Sequence, residues 1–314
     1  MTRAAGDALA TRPMREAFAT AATELLVDDP RVAIVLAEIS TQLFRDARRH
    51  DPLRVVNVGI AEQTMVGVAA GFAMEGFHPI EHSLSPFMAE RPFEQLKLDF
   101  GYQGLGGTFV GAGGSYDYAS EGGTHHAGGD VAVMLAIPRM QVLIPGHGAE
   151  VEALMRATYA NGEPTYLRTS LATNDEPHDV APGRLEVVRR GVGATVIAFG
   201  PMLTRTLHAT EGLDVTVAYA TSVEPFDDGG LAAIVGAAPH VIAIEPWYQG
   251  TVAAVLTRAL GHVAATYDFV GVPRRFVHDY GSWAEIDADL GLDATGINAR
   301  LETSLNSVTR RYRS

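Results

Sequence analysis

Three short stretches concentrate the residues that could do chemistry. In Asn57-Val58-Gly59-Ile60-Ala61-Glu62-Gln63 a single carboxylate stands where an apolar strand gives way to an apolar helix. Burial at such a junction favours the protonated form of an acid, because desolvation penalises charge, and a protonated Glu62 could donate a hydrogen bond or exchange a proton near neutrality. The plainer reading is an acidic residue in a first helical turn, complementing the helix dipole. In Ser85-Pro86-Phe87-Met88-Ala89-Glu90-Arg91-Pro92-Phe93-Glu94-Gln95, Phe87 offers an aromatic face on which a flat heterocycle could stack. Phe93 reads as core, and Arg91 is expected to pair with Glu94 one turn along a solvated helix. In Glu121-Gly122-Gly123-Thr124-His125-His126, behind the glycine-rich GAGGSYDYAS, an imidazole suits hydrogen bonding to a reacting oxygen because that side chain titrates near working pH. Adjacent side chains in an extended segment point apart, so one metal site using both histidines is not expected.

The elements that must position these residues alternate along nearly the whole chain. Helical spacing in MREAFATAATELL after Pro13 is followed by a buried strand at Val32 to Ser40, then a strand at Arg54 to Val58 and a helix at Gln63 to Glu75. Gly67 and Gly71, one turn apart in that helix, predict close approach of another backbone and a buried position. Further strands are expected at Pro79 to Leu84, Gly107 to Gly111, Gln141 to Ile144 and Pro164 to Arg168. Helices are expected around Pro92 to Phe100, Asp130 to Ala136 and Ala149 to Ala160. Periodicity vanishes in SLATNDEPHDVAPGR, which reads as a linker, and ATVIAFG, DVTVAYA and HVIAIEP then recur as strands between helices at Thr204 to Glu211, Gly229 to Ala237 and Gly250 to Leu260. The fold class is α/β, as two doubly wound domains: residues 1–170, a linker over 171–184, and a smaller domain over 185–314.

Composition narrows the function. With 24 Lys+Arg against 37 Asp+Glu the net charge is −13, and Lys97 is the sole lysine, so a basic footprint for nucleic acid is lacking. No cysteine is present, which excludes disulfides, thiolate nucleophiles and Cys-ligated metal. No apolar run approaches the roughly 18 residues of a membrane span. The N-terminal MTRAAGDALATRP lacks a continuous apolar core and carries Asp7, so a cytoplasmic location is expected.

In order and spacing, NVGIAEQTMVGVAAGFAMEG, SPFMAERPFEQ and EGGTHH resemble the pyrimidine-binding domain of transketolases and their thiamine diphosphate relatives. The resemblance implies that Glu62 hydrogen-bonds the aminopyrimidine ring nitrogen of thiamine diphosphate and promotes the tautomer that deprotonates the thiazolium. It implies a stacking role for Phe87, with Ile60 and Arg91 also at the cofactor. His125 is the match to the histidine beside the reaction centre, Ser85 would stand at the substrate, and Arg168 in TYLRTS matches the family's phosphate-gripping arginine. Gly123 replaces the usual proline, and Gly113, Gly114 and Ser115 stand where transketolases place a phosphate-binding histidine, which leaves plain sugars open as substrates. The tail GVPRRFVHDYGSWAEIDADLGLDATGINARLETSL resembles the transketolase C-terminal domain.

Family members hold the diphosphate and Mg²⁺ through a Gly-Asp-Gly and a downstream asparagine element, and neither is found here; Asp28-Asp29-Pro30 and Asp227-Asp228-Gly229 read as turns. The resemblance therefore implies a split enzyme. This chain would supply the pyrimidine half, an N-terminal diphosphate-binding transketolase subunit would hold diphosphate and metal, and the two would self-associate as α2β2 to move a two-carbon ketol unit between small sugars. Two alternatives stand beside it: a deoxyxylulose phosphate synthase-like or other 2-oxoacid-decarboxylating carboligase subunit, and a non-catalytic scaffold.

Overall fold

The computed structural model describes residues 12–236, 239–261 and 263–311, so the N-terminal reading that turned on Asp7 lies outside the described residues. Strands β1 (Val32–Leu36), β2 (Val55–Asn57), β3 (His78–Leu84), β4 (Gly107–Ala112), β5 (Gln141–Leu143) and β6 (Pro164–Thr169) come from the first half. Strands β7 (Leu185–Arg189), β8 (Thr195–Phe199), β9 (Thr216–Ala220), β10 (Ser222–Glu224), β11 (His240–Tyr248) and β12 (Thr266–Val272) come from the second. Among the described residues they form two sheets, ordered β10-β5-β6-β4-β3-β1-β2 and β12-β11-β8-β9-β7. Pairing is parallel throughout, except for β10 on β5 and β7 on β9. This is the expected α/β architecture.

The sequence accounts for the interior of these sheets. All five residues of β1, Val-Ala-Ile-Val-Leu, are buried, as a strand flanked by parallel neighbours and covered on both faces requires. On one face of the first sheet Phe18, Leu26 and Leu154 pack from helices Met14–Asp28 and Gly148–Thr158. On the other, Met65, Val66, Ala69 and Ala70 pack from helix Glu62–Met74, and this second core runs on through Phe199 and Trp247. A shared core therefore joins the two sheets. The stretch 171–184 has no regular structure but is anchored at both sides: the Asn174 side chain donates to the Gly200 carbonyl at 3.1 Å, and the His178 backbone N–H donates to Glu150 at 3.0 Å. Residues 222–224 return from the second half to complete the first sheet.

Two expectations about helices are corrected. The outer face of helix Glu62–Met74 is exposed, and nothing lies within 4 Å of the position a Cβ would take on Gly67 or Gly71. The small residues thus present a smooth surface instead of receiving a neighbouring backbone of this chain. The single helix expected over Pro92 to Phe100 is a short turn, Phe93–Gln95, that widens into a π-helical stretch at Leu96–Tyr102.

Candidate active site

The loop after β2 delivers Glu62. Asn57 shapes it: its side-chain oxygen accepts the backbone N–H groups of Glu38 and Gly59 at 3.0 and 3.1 Å, and Gly59 turns the chain with φ of +76°, a conformation that glycine adopts without steric cost. Ile60 then projects into solvent, 77% exposed, and Glu62 opens the helix with 1% exposure. The carboxylate does not sit against apolar walls alone. Arg91 Nη1 donates to Glu62 Oε2 at 2.8 Å, and the Ser83 hydroxyl approaches Oε1 at 3.4 Å from β3. Arg91 therefore reaches across 29 positions to Glu62 and does not make the Glu94 pair expected along its own helix.

The same guanidinium lies over the Phe87 ring, Cζ to centroid 3.9 Å, and the His125 ring meets Phe87 edge to face at 5.2 Å. Glu62, Arg91, Phe87 and His125 thus form one continuous series of contacts, although they come from three separate segments. Phe87 rides on the short helix Ser85–Ala89, held by buried Pro86, Met88 and Ala89. His125 stands on the turn Gly123–His125, with Thr124 Oγ1 3.0 Å from its Nδ1. The backbone N–H of Tyr248, at the end of β11, donates to the Gly128 carbonyl at 2.9 Å and so ties this loop to the second sheet.

His125 and His126 serve different surroundings, as adjacent side chains that point apart should. His126 lines a cleft of about 90 Å³ with Glu90, Gly128, Tyr248, Arg275 and Phe276. Burial holds the His126 imidazole below its ordinary value, with the neighbouring His125 adding to the effect; burial followed by the Asp130 charge pushes Glu90 up. Glu90 and Tyr248 escaped notice in the sequence because β11 is over a hundred residues away from Glu90, which caps helix Ser85–Ala89. Ser83 was within reach of period-two alternation, since it faces the Glu62 side of β3 while His82 faces the opposite one.

Two residues expected at the substrate are built into the interior. Arg168 is 1% exposed: Nε donates to Asp130 Oδ2 at 2.8 Å, and Nη2 donates to the Ser115 hydroxyl at 2.9 Å and the Pro246 carbonyl at 3.2 Å. With Nε and Nη2 committed inside the protein, Arg168 holds the two sheets together. Ser85 is fully buried, packed with the Tyr166 hydroxyl against Gly111, where a Cβ would lie 2.8 and 2.6 Å from the two oxygens. It faces the sheet and is closed off from a substrate. The glycine-rich run is likewise a packing device, because a Cβ on Gly114 would fall 2.2 Å from the Arg168 guanidinium carbon. Among the described residues no group of three or more histidine, aspartate or glutamate side chains could hold a metal ion. No helix among them is long and apolar enough to cross a membrane.

The segments that bring Glu62, Phe87 and His125 together lie within residues 10–173, which match a family model described as transketolase, pyrimidine binding domain. The chain belongs to the transketolase pyrimidine-binding family. Relatives of this transketolase-type chain include an uncharacterized 33.6 kDa protein in the fasciation locus of Rhodococcoides fascians, 39% identical, covering 94% of each chain. A subunit of the apulose-4-phosphate transketolase of Phocaeicola vulgatus is 26% identical over 90% of this chain and 94% of its own. Against 1-deoxy-D-xylulose-5-phosphate synthase of Azoarcus sp., 31% identical over 89% of this chain, it spans 46% of the relative's length. Among solved structures, a split gene transketolase described as an inactive beta4 tetramer superimposes with a TM-score of 0.79 at 26% identity, covering 93% of this chain and 98% of the other.

Proposed function

We propose that this chain is the pyrimidine-binding subunit of a two-polypeptide, cytoplasmic transketolase that moves a two-carbon ketol unit between sugars. The observation that carries the reading is the pair formed by Glu62 and Phe87. A planar cation, the Arg91 guanidinium, already donates to the carboxylate and stacks on the ring, so these two groups suit a flat nitrogen heterocycle bearing N–H groups. They would hold the aminopyrimidine of thiamine diphosphate, which supplies the nucleophilic carbon of ketol transfer when bound. Glu62 holds and returns a proton at its Oε atoms, Phe87 fixes the plane of the heterocycle, Ile60 covers it from the rim, and His125 hydrogen-bonds a substrate oxygen beside Phe87.

A second polypeptide follows from what this half of the site contains. Diphosphate and Mg²⁺ need several oxygen ligands and a cationic or amide cradle, which we assign to an N-terminal diphosphate-binding transketolase subunit. The smooth face of helix Glu62–Met74, with exposed Gly67, Gly71 and Met74 beside exposed Ile60, is suited to close subunit contact and supports an α2β2 assembly. The reading is tested by assaying the purified chain, the purified partner and their mixture with ketose donors, phosphorylated and plain. Ketol transfer that needs thiamine diphosphate is expected from the mixture alone, and robust turnover by this chain by itself would overturn the subunit assignment. The similarity to deoxyxylulose phosphate synthases supports pyruvate as the alternative donor; decarboxylation of pyruvate without ketol transfer from sugars would decide for it.

A further inference from the structure

The contact between Glu62, Phe87 and Arg91 has no counterpart in the role assigned to Arg91 by sequence. A residue that helps hold a heterocycle should leave the carboxylate and the aromatic face free. Arg91 takes both: its Nη1 is 2.8 Å from Glu62 Oε2 and its Cζ lies 3.9 Å above the Phe87 centroid. Guanidinium and aminopyrimidine share the features that matter here, a flat conjugated nitrogen framework with in-plane N–H donors and a stacking face. The two cannot use the carboxylate and the ring at once.

Resting on the reading of Glu62 and Phe87 as the aminopyrimidine seat, we propose that Arg91 is an internal stand-in which fills that seat in the isolated chain and is displaced when an aminopyrimidine enters. Which member moves is fixed by exposure. The Glu62 side chain is 2% exposed and further held by Ser83, whereas the Arg91 side chain is 38% exposed and has solvent to swing into. Its backbone need not move, because the Gln63 side chain donates to the Arg91 carbonyl at 3.2 Å and Pro92 behind it is buried. The stand-in gives the buried carboxylate a partner before the subunits meet, which avoids leaving a desolvated charge unpaired. It also makes a free aminopyrimidine compete with a tethered ligand, so the isolated subunit discriminates against binding half a cofactor.

The test titrates 4-amino-2-methylpyrimidine, the cofactor's ring without its diphosphate tail, into the full chain and follows binding by NMR, with no turnover involved. Arg91→Ala is expected to bind the ring about tenfold more tightly than the wild type, since the competing cation stack and charge-assisted hydrogen bond are both removed. Arg91→Lys, which keeps the charge and loses the plane, should fall between them and carries the test if the alanine variant does not fold. Free guanidinium should compete for the ring in Arg91→Ala. Equal or weaker binding by both variants, with Phe87→Ala weakening binding in each background, would overturn the stand-in while leaving the seat intact. Binding insensitive to Phe87→Ala and Glu62→Gln in every background would overturn the seat and the stand-in together.

Discussion

The molecule contains two arginine–carboxylate pairs of the same separation and opposite character. Arg91 and Glu62 meet at 2.8 Å, as do Arg168 and Asp130. In the first pair the arginine side chain is 38% exposed; in the second both side chains are 1% exposed or less, and the guanidinium also serves Ser115 and the Pro246 carbonyl. The difference teaches that an arginine near a carboxylate is exchangeable only if water can take its place. At the seam between the sheets Nε and Nη2 are tied to protein groups, so Arg168 braces the fold; at Glu62 the arginine side is open to solvent, so Arg91 can give way to a ligand.

The comparison is broken most forcefully from the closed side. Arg168→Met leaves the buried Asp130 with the Tyr166 hydroxyl but without its cationic partner, and a loss of about 3–5 kcal/mol is expected in urea denaturation. Unchanged stability would mean the seam is open after all. A pH experiment sharpens the same distinction. His82 is fully buried with Nε2 2.9 Å from Ser40 Oγ and Nδ1 3.0 Å from the Val110 carbonyl, and burial lowers its pKa from 6.5 to about 4. The folded value lies below the unfolded one, so the stability it contributes is present above pH 6.5 and lost as the pH falls towards 4. Two to three pH units correspond to a loss on the order of 3 kcal/mol, and His82→Gln should flatten that slope in acid denaturation curves.

Smaller effects are expected on the open side. Phe87→Ala in the reconstituted enzyme should weaken cofactor binding by about 0.5–1.5 kcal/mol through the lost stack, read by calorimetry, with the fold retained. Arg91→Met should destabilise the isolated chain by less than Arg168→Met, because the arginine side of the pair is open and water can take its place beside the buried Glu62. A loss as large as that of Arg168→Met would place both pairs in one class.

Much of this was legible in the sequence, for reasons particular residues make plain. The all-apolar β1 following the helical spacing of Met14–Asp28 announced the α/β fold, since strands covered on both faces of a parallel sheet read as short continuous apolar runs between helices. Elements with mixed polarity did not announce themselves: β7 is half-buried along its length, β10 is only three residues long, and neither carries an apolar run. The helix Trp283–Leu290 was readable in principle from its Ser282–Glu285 capping box. Glu62, Phe87 and His125, which the structure brings into one series of contacts, stood out because local sequence context carries them. Arg91 was given the wrong partner and the Arg168–Asp130 pair was not foreseen, because what an arginine meets depends on residues 29 and 38 positions away.

If the Glu62 carboxyl group, seated with Phe87, works on a cofactor whose charged tail belongs to another chain, its removal must cost turnover and spare assembly. The most direct measurement is Glu62→Gln in the reconstituted complex, with assembly followed by sedimentation and ketol transfer by product release. An intact assembly is expected whose turnover falls by about a hundredfold or more, the scale of a lost acid–base group. Full turnover in an intact Glu62→Gln assembly would contradict this role for Glu62.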